Sequence, residues 1–155
     1  MSDVIRIGNC SGFYGDRLDA AREMVEGGPI DVLTGDYLAE LTMSILYNQQ
    51  QTRGEDTGYV GTFLKQVRDV AALCNEKNIK IVSNAGGLNP RSMALEVEKI
   101  LEELGLDLKV AYIDGDNLLP DLDQLQSDGE SFTNLDTQQH LKDSDQKALT
   151  ANAYL

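Results

Sequence analysis

Ile79-Lys-Ile-Val-Ser-Asn-Ala-Gly-Gly-Leu-Asn-Pro90 decides how the rest of the chain is read. It opens as a short β-branched run of the kind that fills a buried parallel strand. Ser83 to Gly87 are small and glycine-rich, which suits a tight turn. Asn89 then suits a helix N-cap and Pro90 the first helical position. Beyond it Met93, Val97, Ile100, Leu101 and Leu104 recur at helical spacing until Gly105, a natural stop. A strand that passes into a helix through a glycine turn is half of a βαβ unit.

The same pattern recurs on both sides. Apolar segments at residues 4–7, 30–33, 79–82 and 110–113 are separated by helical stretches at 16–26, 36–51, 60–77 and 90–104. Gly27-Gly28-Pro29, Asn78 and Gly105 end those helices with residues that accept a helix-ending backbone. Strict alternation predicts an α/β fold: an open, mostly parallel sheet with helices on both faces, Rossmann-like and doubly wound, incomplete at its carboxyl side. Residues 1–126 read as the α/β core. Residues 127–147, whose only large apolar side chains are Phe132, Leu135 and Leu141, read as a polar loop, a lid or a disordered segment. Residues 148–155 turn apolar again and read as the start of a further element of the same domain.

Composition narrows the function. The 155 residues hold 13 Lys+Arg against 26 Asp+Glu, a formal net charge of −13, so electrostatic tracking of nucleic acid is not expected. Residues 102–145 hold 12 acidic residues against two basic ones, −10 of the net −13, so most of the net negative charge lies outside the first three glycine turns. An anionic membrane surface is disfavoured for the same reason, no apolar run is long enough to span, and the start MSDVIRIG lacks the marks of a signal peptide. A cytoplasmic address is the expectation. Two cysteines and one histidine exclude a zinc-finger spacing, and no metal site is expected. Cys74 falls on the apolar stripe of its helix and reads as core. Cys10 reads as a small residue packed in a turn rather than a nucleophile, and His140 as a solvated loop residue.

In an open parallel sheet ligands bind beyond the carboxyl ends of the strands, so the residues after each strand carry the information. These are Gly8-Asn-Cys-Ser-Gly-Phe-Tyr-Gly-Asp16, Thr34-Gly-Asp-Tyr-Leu-Ala-Glu40, Ser83-Asn-Ala-Gly-Gly-Leu-Asn-Pro90 and Asp114-Gly-Asp-Asn117. The glycines of the first are spaced G-x-x-x-G-x-x-G, not as a dinucleotide fingerprint, and no Gly-Lys pair exists to build a Walker loop. No cofactor is therefore assigned. Asn9, Ser11, Gly12, Asn84, the Gly86-Gly87 turn, Asn89 and Asn152 are the candidate substrate-binding residues, through side-chain amides, a hydroxyl and free backbone N–H groups. Asp36 and Asp114 are the candidate catalytic carboxylates. Asp36 and Glu40, four apart at the start of a helix, would share a face. Each of these also has a plain structural reading as a cap or a turn.

Six segments in order then become recognisable: Ile5 to Asp16, Asp31 to Glu40, Gly58-Tyr-Val-Gly-Thr-Phe63, Ile81 to Pro90, Asn134-Leu-Asp-Thr137 and Thr150-Ala-Asn-Ala-Tyr154. Together they resemble the amino-terminal part of the core domain of the acyclic terpene utilisation family. The resemblance implies a protein linked to breakdown of branched terpenoid acids or their acyl-CoA intermediates, beside enzymes that degrade citronellol and geraniol. It implies a small carboxylate or acyl-CoA as partner, leaves self-association open, and transfers no catalytic residue. It also implies that the chain reads as the first part of a larger domain. The alternatives are a binding or assembly module without chemistry of its own, and an incomplete domain without independent activity.

Overall fold

The computed structural model describes residues 4–153. The chain forms two compact units, Met1–Ile113 and Asp114–Leu155, a division earlier than the change of composition after residue 126. Among the described residues no helix is long and apolar enough to cross a membrane.

The first unit runs β1 (Ile7–Asn9), α1 (Ala20–Gly27), β2 (Val32–Gly35), α2 (Glu40–Arg53), α3 (Gly61–Lys77), β3 (Lys80–Ser83) and α4 (Pro90–Glu103). The three strands form one parallel sheet in the order β1-β2-β3. Each strand lies further toward the carboxyl end than the apolar run that announces it. Hydrophobicity marks where a side chain is buried, whereas pairing continues into the glycine, threonine and serine of the rim. Two helix stops form as their residues require: Asn78 takes a left-handed φ of 56° at the end of α3, and Gly105 one of 68° just after α4.

Gly8, Leu33 and Ile81 stand side by side across the sheet and point to the same face. Leu33 joins Ala21 and Val25 of α1 with Val70 and Cys74 of α3 in one buried cluster. A second cluster gathers Met43 and Leu46 of α2, Phe63 and Val67 of α3, and Ile100 and Leu101 of α4, and Ile81 packs against both clusters. The helices therefore gather on one side. The flanking rows, Ile7–Val32–Lys80 and Asn9–Thr34–Val82, point the other way, and Ile7 and Val82 are 65% and 59% exposed.

The open parallel sheet of an α/β fold is thus present, but with helices on one face instead of two. The reason is topological. Crossovers from β1 to β2 and from β2 to β3 step in the same direction, and right-handed crossovers that do so lay their helices on the same face. Covering the second face needs a reversal of direction, and the three strands contain none.

Two expectations need correction. Residues 110–113 form no strand; Val110 packs partly against the second cluster while Ile113 is 91% exposed. A β-branched run favours extended backbone, but a strand exists only when an edge pairs with it, and local sequence does not supply the edge. Helix α2 begins at Glu40, not at residue 36. Tyr37 buries its ring in the core and its backbone N–H is taken by the Asn84 side chain, which holds residues 36–39 outside the helix. Asp36 and Glu40 consequently share no helical face.

The second unit contains no buried side chain among its described residues, in keeping with its few apolar residues. A 3₁₀ turn, Leu119–Asp121, leads into the short α5 (Leu122–Ser127), and a second 3₁₀ turn follows at Leu141–Asp143. Its order comes from hydrogen bonds. An antiparallel bridge joins Asn117 to Asn152, another joins Thr133 to His140, and the Asn134 side chain accepts from the N–H groups of Asp136 and Thr137 at 3.0 and 2.8 Å.

Candidate functional site

The three loops that leave the carboxyl ends of β1, β2 and β3 meet on one rim and are stitched together by hydrogen bonds. In the first loop Cys10 N donates to Thr34 O at 2.8 Å, and Ser11 O accepts from Asp36 N at 2.9 Å. Ser11 is buried, and its hydroxyl donates to Phe13 O at 3.0 Å. Gly12 N donates to one oxygen of Asp16 at 2.9 Å and Arg17 N to the other at 2.8 Å. These two backbone donors hold the Asp16 carboxyl below its usual range. Asn9 lies exposed at the end of β1.

Asn84 links the second and third loops. Its amide oxygen accepts from Tyr37 N at 2.9 Å, and its amide nitrogen donates to an Asp36 carboxylate oxygen at 2.7 Å. Ser83 adds a bond from its hydroxyl to Gly35 O at 3.0 Å. The predicted pair Asp36 and Asn84 is therefore brought into direct contact, with Ser11 one hydrogen bond further on.

The Gly86-Gly87 turn is closely packed. A Cβ on Gly87, whose φ is 54°, would lie 2.2 Å from Leu46 Cδ1 and 2.9 Å from Gly58 O. A Cβ on Gly86 would meet Pro90 at 2.7 Å. The N–H groups of Gly87, Leu88 and Asn89 are given to the carbonyls of Asn84, Gly58 and Gly86. Asn89 caps α4 as its position predicts, accepting from Ser92 N at 3.0 Å, while its amide nitrogen donates to Glu55 O at 2.9 Å. The donors of this turn thus serve the protein itself. Glycine is needed here so that the loop can lie against Leu46 and the Gly58 segment.

Beneath the rim lies a polar contact that sequence reading missed. Tyr37, packed edge-on against Phe63 with ring centroids 5.9 Å apart, places its hydroxyl on Gln66 Oε1, and Gln66 Nε2 donates to Arg17 O at 3.1 Å. Burial, with Cys10 alongside, raises the Tyr37 pKa well above the ordinary phenol value. Burial also raises the Cys10 thiol, and pushes Cys74 to about 11, so neither is an activated thiolate. The signal that could have revealed Gln66 is its place between Phe63 and Val67 on an otherwise apolar stripe.

From the first loop a cavity of about 530 Å³ runs along α1, between Asn9, Ser11 and Gly12 at one end and Ala20, Glu23 and Met24 on its helical wall. That volume lies within the range of small-ligand pockets. Arg17, the one cationic residue lining it, is tied to Asp19 at 3.0 Å and to Glu23 at 2.5 Å, so Asp16 and Glu23 leave the groove acidic. Asp114 and Asn152 belong to the second unit. Asp114 is exposed; Asn152 donates to Asp116 at 2.8 Å and keeps its amide oxygen buried without a partner. Among the described residues no three His, Cys, Asp or Glu side chains come together as a metal centre.

Residues 5–155 match the family model described as acyclic terpene utilisation family protein AtuA. The chain belongs to the acyclic terpene utilisation family. No curated protein and no solved structure matches it. Membership connects the rim described above with a terpene-utilisation-related protein, and the family match takes in both compact units.

Proposed function

We propose that this acyclic terpene utilisation protein binds a branched terpenoid acid or its acyl-CoA thioester at the rim of the sheet, as part of terpene catabolism in the cytoplasm. The observation that carries the reading is the open cavity at the first strand-end loop, lined by Asn9, Ser11 and Gly12, with the Ser11 main chain one hydrogen bond from the Asp36–Asn84 pair. Asn9 and Gly12 would orient the ligand's oxygen at the cavity mouth, with Met24 and Ala20 against its hydrocarbon. Asp36, hydrogen-bonded by Asn84 in the adjoining loop, would be the group that accepts or returns a proton.

Calorimetry of the protein against branched terpenoid acids and their CoA thioesters tests this. Saturable binding that weakens in Asn9→Ala is the expected result, and absence of binding by both classes would remove the reading. A second reading, an assembly module for neighbouring enzymes, draws support from the exposed Ile7 and Val82 on the uncovered sheet face.

A further inference from the structure

We infer that Gln66 is a latch: its buried amide holds residues 13–17 of the first strand-end loop onto the second, and release of that amide lets those residues lift while the core beneath stays folded. The latch would control access to the site proposed above, and in that purpose it rests on that reading. The motion itself is tested without a ligand.

The cost of Gln66 comes first. It is 3% exposed and lies on the face of α3 that carries Phe63, Val67, Val70 and Cys74. A buried amide is tolerated there only if both of its ends are hydrogen-bonded. Both ends serve the strand-end loops: Oε1 accepts from the Tyr37 hydroxyl in the second loop, and Nε2 donates to Arg17 O in the first at 3.1 Å. The second loop is shaped for this contact. A Cβ on Gly35 would lie 2.6 Å from the Tyr37 ring, so glycine there lets the ring turn inward to Gln66.

The way the first loop is tied follows. Its base is fixed to the sheet by Cys10 N on Thr34 O and by Asp36 N on Ser11 O. Beyond Gly12, side chains of α2 and α3 hold it: Gln49 Nε2 donates to the Tyr14 hydroxyl at 3.0 Å, Thr62 Oγ1 to Tyr14 O at 3.2 Å, and Gln66 to Arg17 O. Of these three side chains Gln66 alone is buried. Water can replace a partly exposed bond in place, whereas the buried one is released only by movement of the loop.

Slack and a built-in reporter complete the argument. A void of about 10 Å³, bordered by Cys10, Tyr37, Phe63 and Gln66, lies beside the latch and gives the amide room to turn. Cys10 and Cys74 are both free and buried in one cluster, but only Cys10 borders the void. Opening of the latch therefore uncovers Cys10 and leaves Cys74 covered.

The test is alkylation of the two thiols by iodoacetamide, resolved by mass spectrometry, with each thiol compared with itself. Gln66→Met keeps the volume and removes both bonds. Cys10 is expected to react about tenfold faster in this variant, with Cys74 unchanged within about twofold. In the unaltered protein at low urea, Cys10 alkylation should be nearly independent of urea, because local opening exposes little surface, while Cys74 alkylation should climb steeply. If Gln66→Met gives no cooperative melt, this urea comparison decides alone. Equal acceleration of both thiols, no acceleration of Cys10, or one urea slope shared by the two thiols overturns the latch. A protein that shows the expected alkylation but binds neither terpenoid acids nor their thioesters keeps the latch and loses the ligand reading.

Discussion

The loop after β3 and the loop after β1 look alike as sequence, each rich in glycine, asparagine and serine, yet they serve opposite ends. In residues 84–89 the glycines bring the backbone against Leu46, Gly58 and Pro90, and the N–H groups of Gly87, Leu88 and Asn89 and the amide nitrogens of Asn84 and Asn89 are given to protein acceptors. In residues 9–16 the corresponding glycine faces open space: a Cβ on Gly12 would find its nearest neighbour, Asp16 Oδ2, at 4.0 Å. The loop after β3 is a rivet and the loop after β1 a mouth. A glycine-rich turn after a parallel strand therefore indicates a binding loop only where its small residues border empty volume.

Substitutions sharpen this contrast. Gly87→Ala should cause the largest loss, about 3 kcal/mol of unfolding free energy in a denaturant titration, because it adds a methyl group at a left-handed φ and against Leu46 Cδ1 at 2.2 Å. Asn84→Ala should cost about 1–2 kcal/mol by the same measure, since Tyr37 N–H and Asp36 both lose their partner. If Asn84→Ala instead leaves stability unchanged, the riveted description of that loop is wrong.

Asp16→Asn probes the mouth through pH. A carboxylate whose folded pKa is depressed contributes stability that is present above its unfolded value of 3.8 and lost as pH falls through the lower folded value. The stability difference between the native protein and Asp16→Asn should hold steady from neutral pH down to about 3.8 and shrink below it. Acid-unfolding profiles of the two proteins check the direction. Gly12→Ala should have the smallest effect on stability, within about 0.5 kcal/mol. A loss as large as that of Gly87→Ala would erase the distinction between the loops.

How much of this was legible in the sequence follows the range of the interactions involved. The three paired strands, the helices and the stops at Asn78 and Gly105 depend on neighbours a few residues away, and periodicity and cap chemistry record them. Residues 110–113 have the composition of a strand, but their fate depends on an edge that local sequence does not describe. The start of α2 was misplaced because Asn84, 47 residues beyond Tyr37, takes the N–H of Tyr37 that a helix first turn would have left free. The expectation of helices on both faces failed at the level of strand order, which alternation alone does not determine. At the rim, hydrogen bonds join three of the candidate residues, Asp36, Asn84 and Ser11. The Tyr37–Gln66 contact escapes the sequence because its two partners lie 29 residues apart and neither one's neighbours record the other.

The sheet order has a further consequence for synthesis. Each strand pairs with the one made just before it, so β1 and β2 need no later part of the chain in order to meet, and β2 ends at Gly35. The sheet can grow one strand at a time as the polypeptide leaves the ribosome, with each crossover helix closing over the strands already paired. Throughout the pairing of these three strands β1 stays at the outside, and β2 is enclosed as soon as β3 joins it.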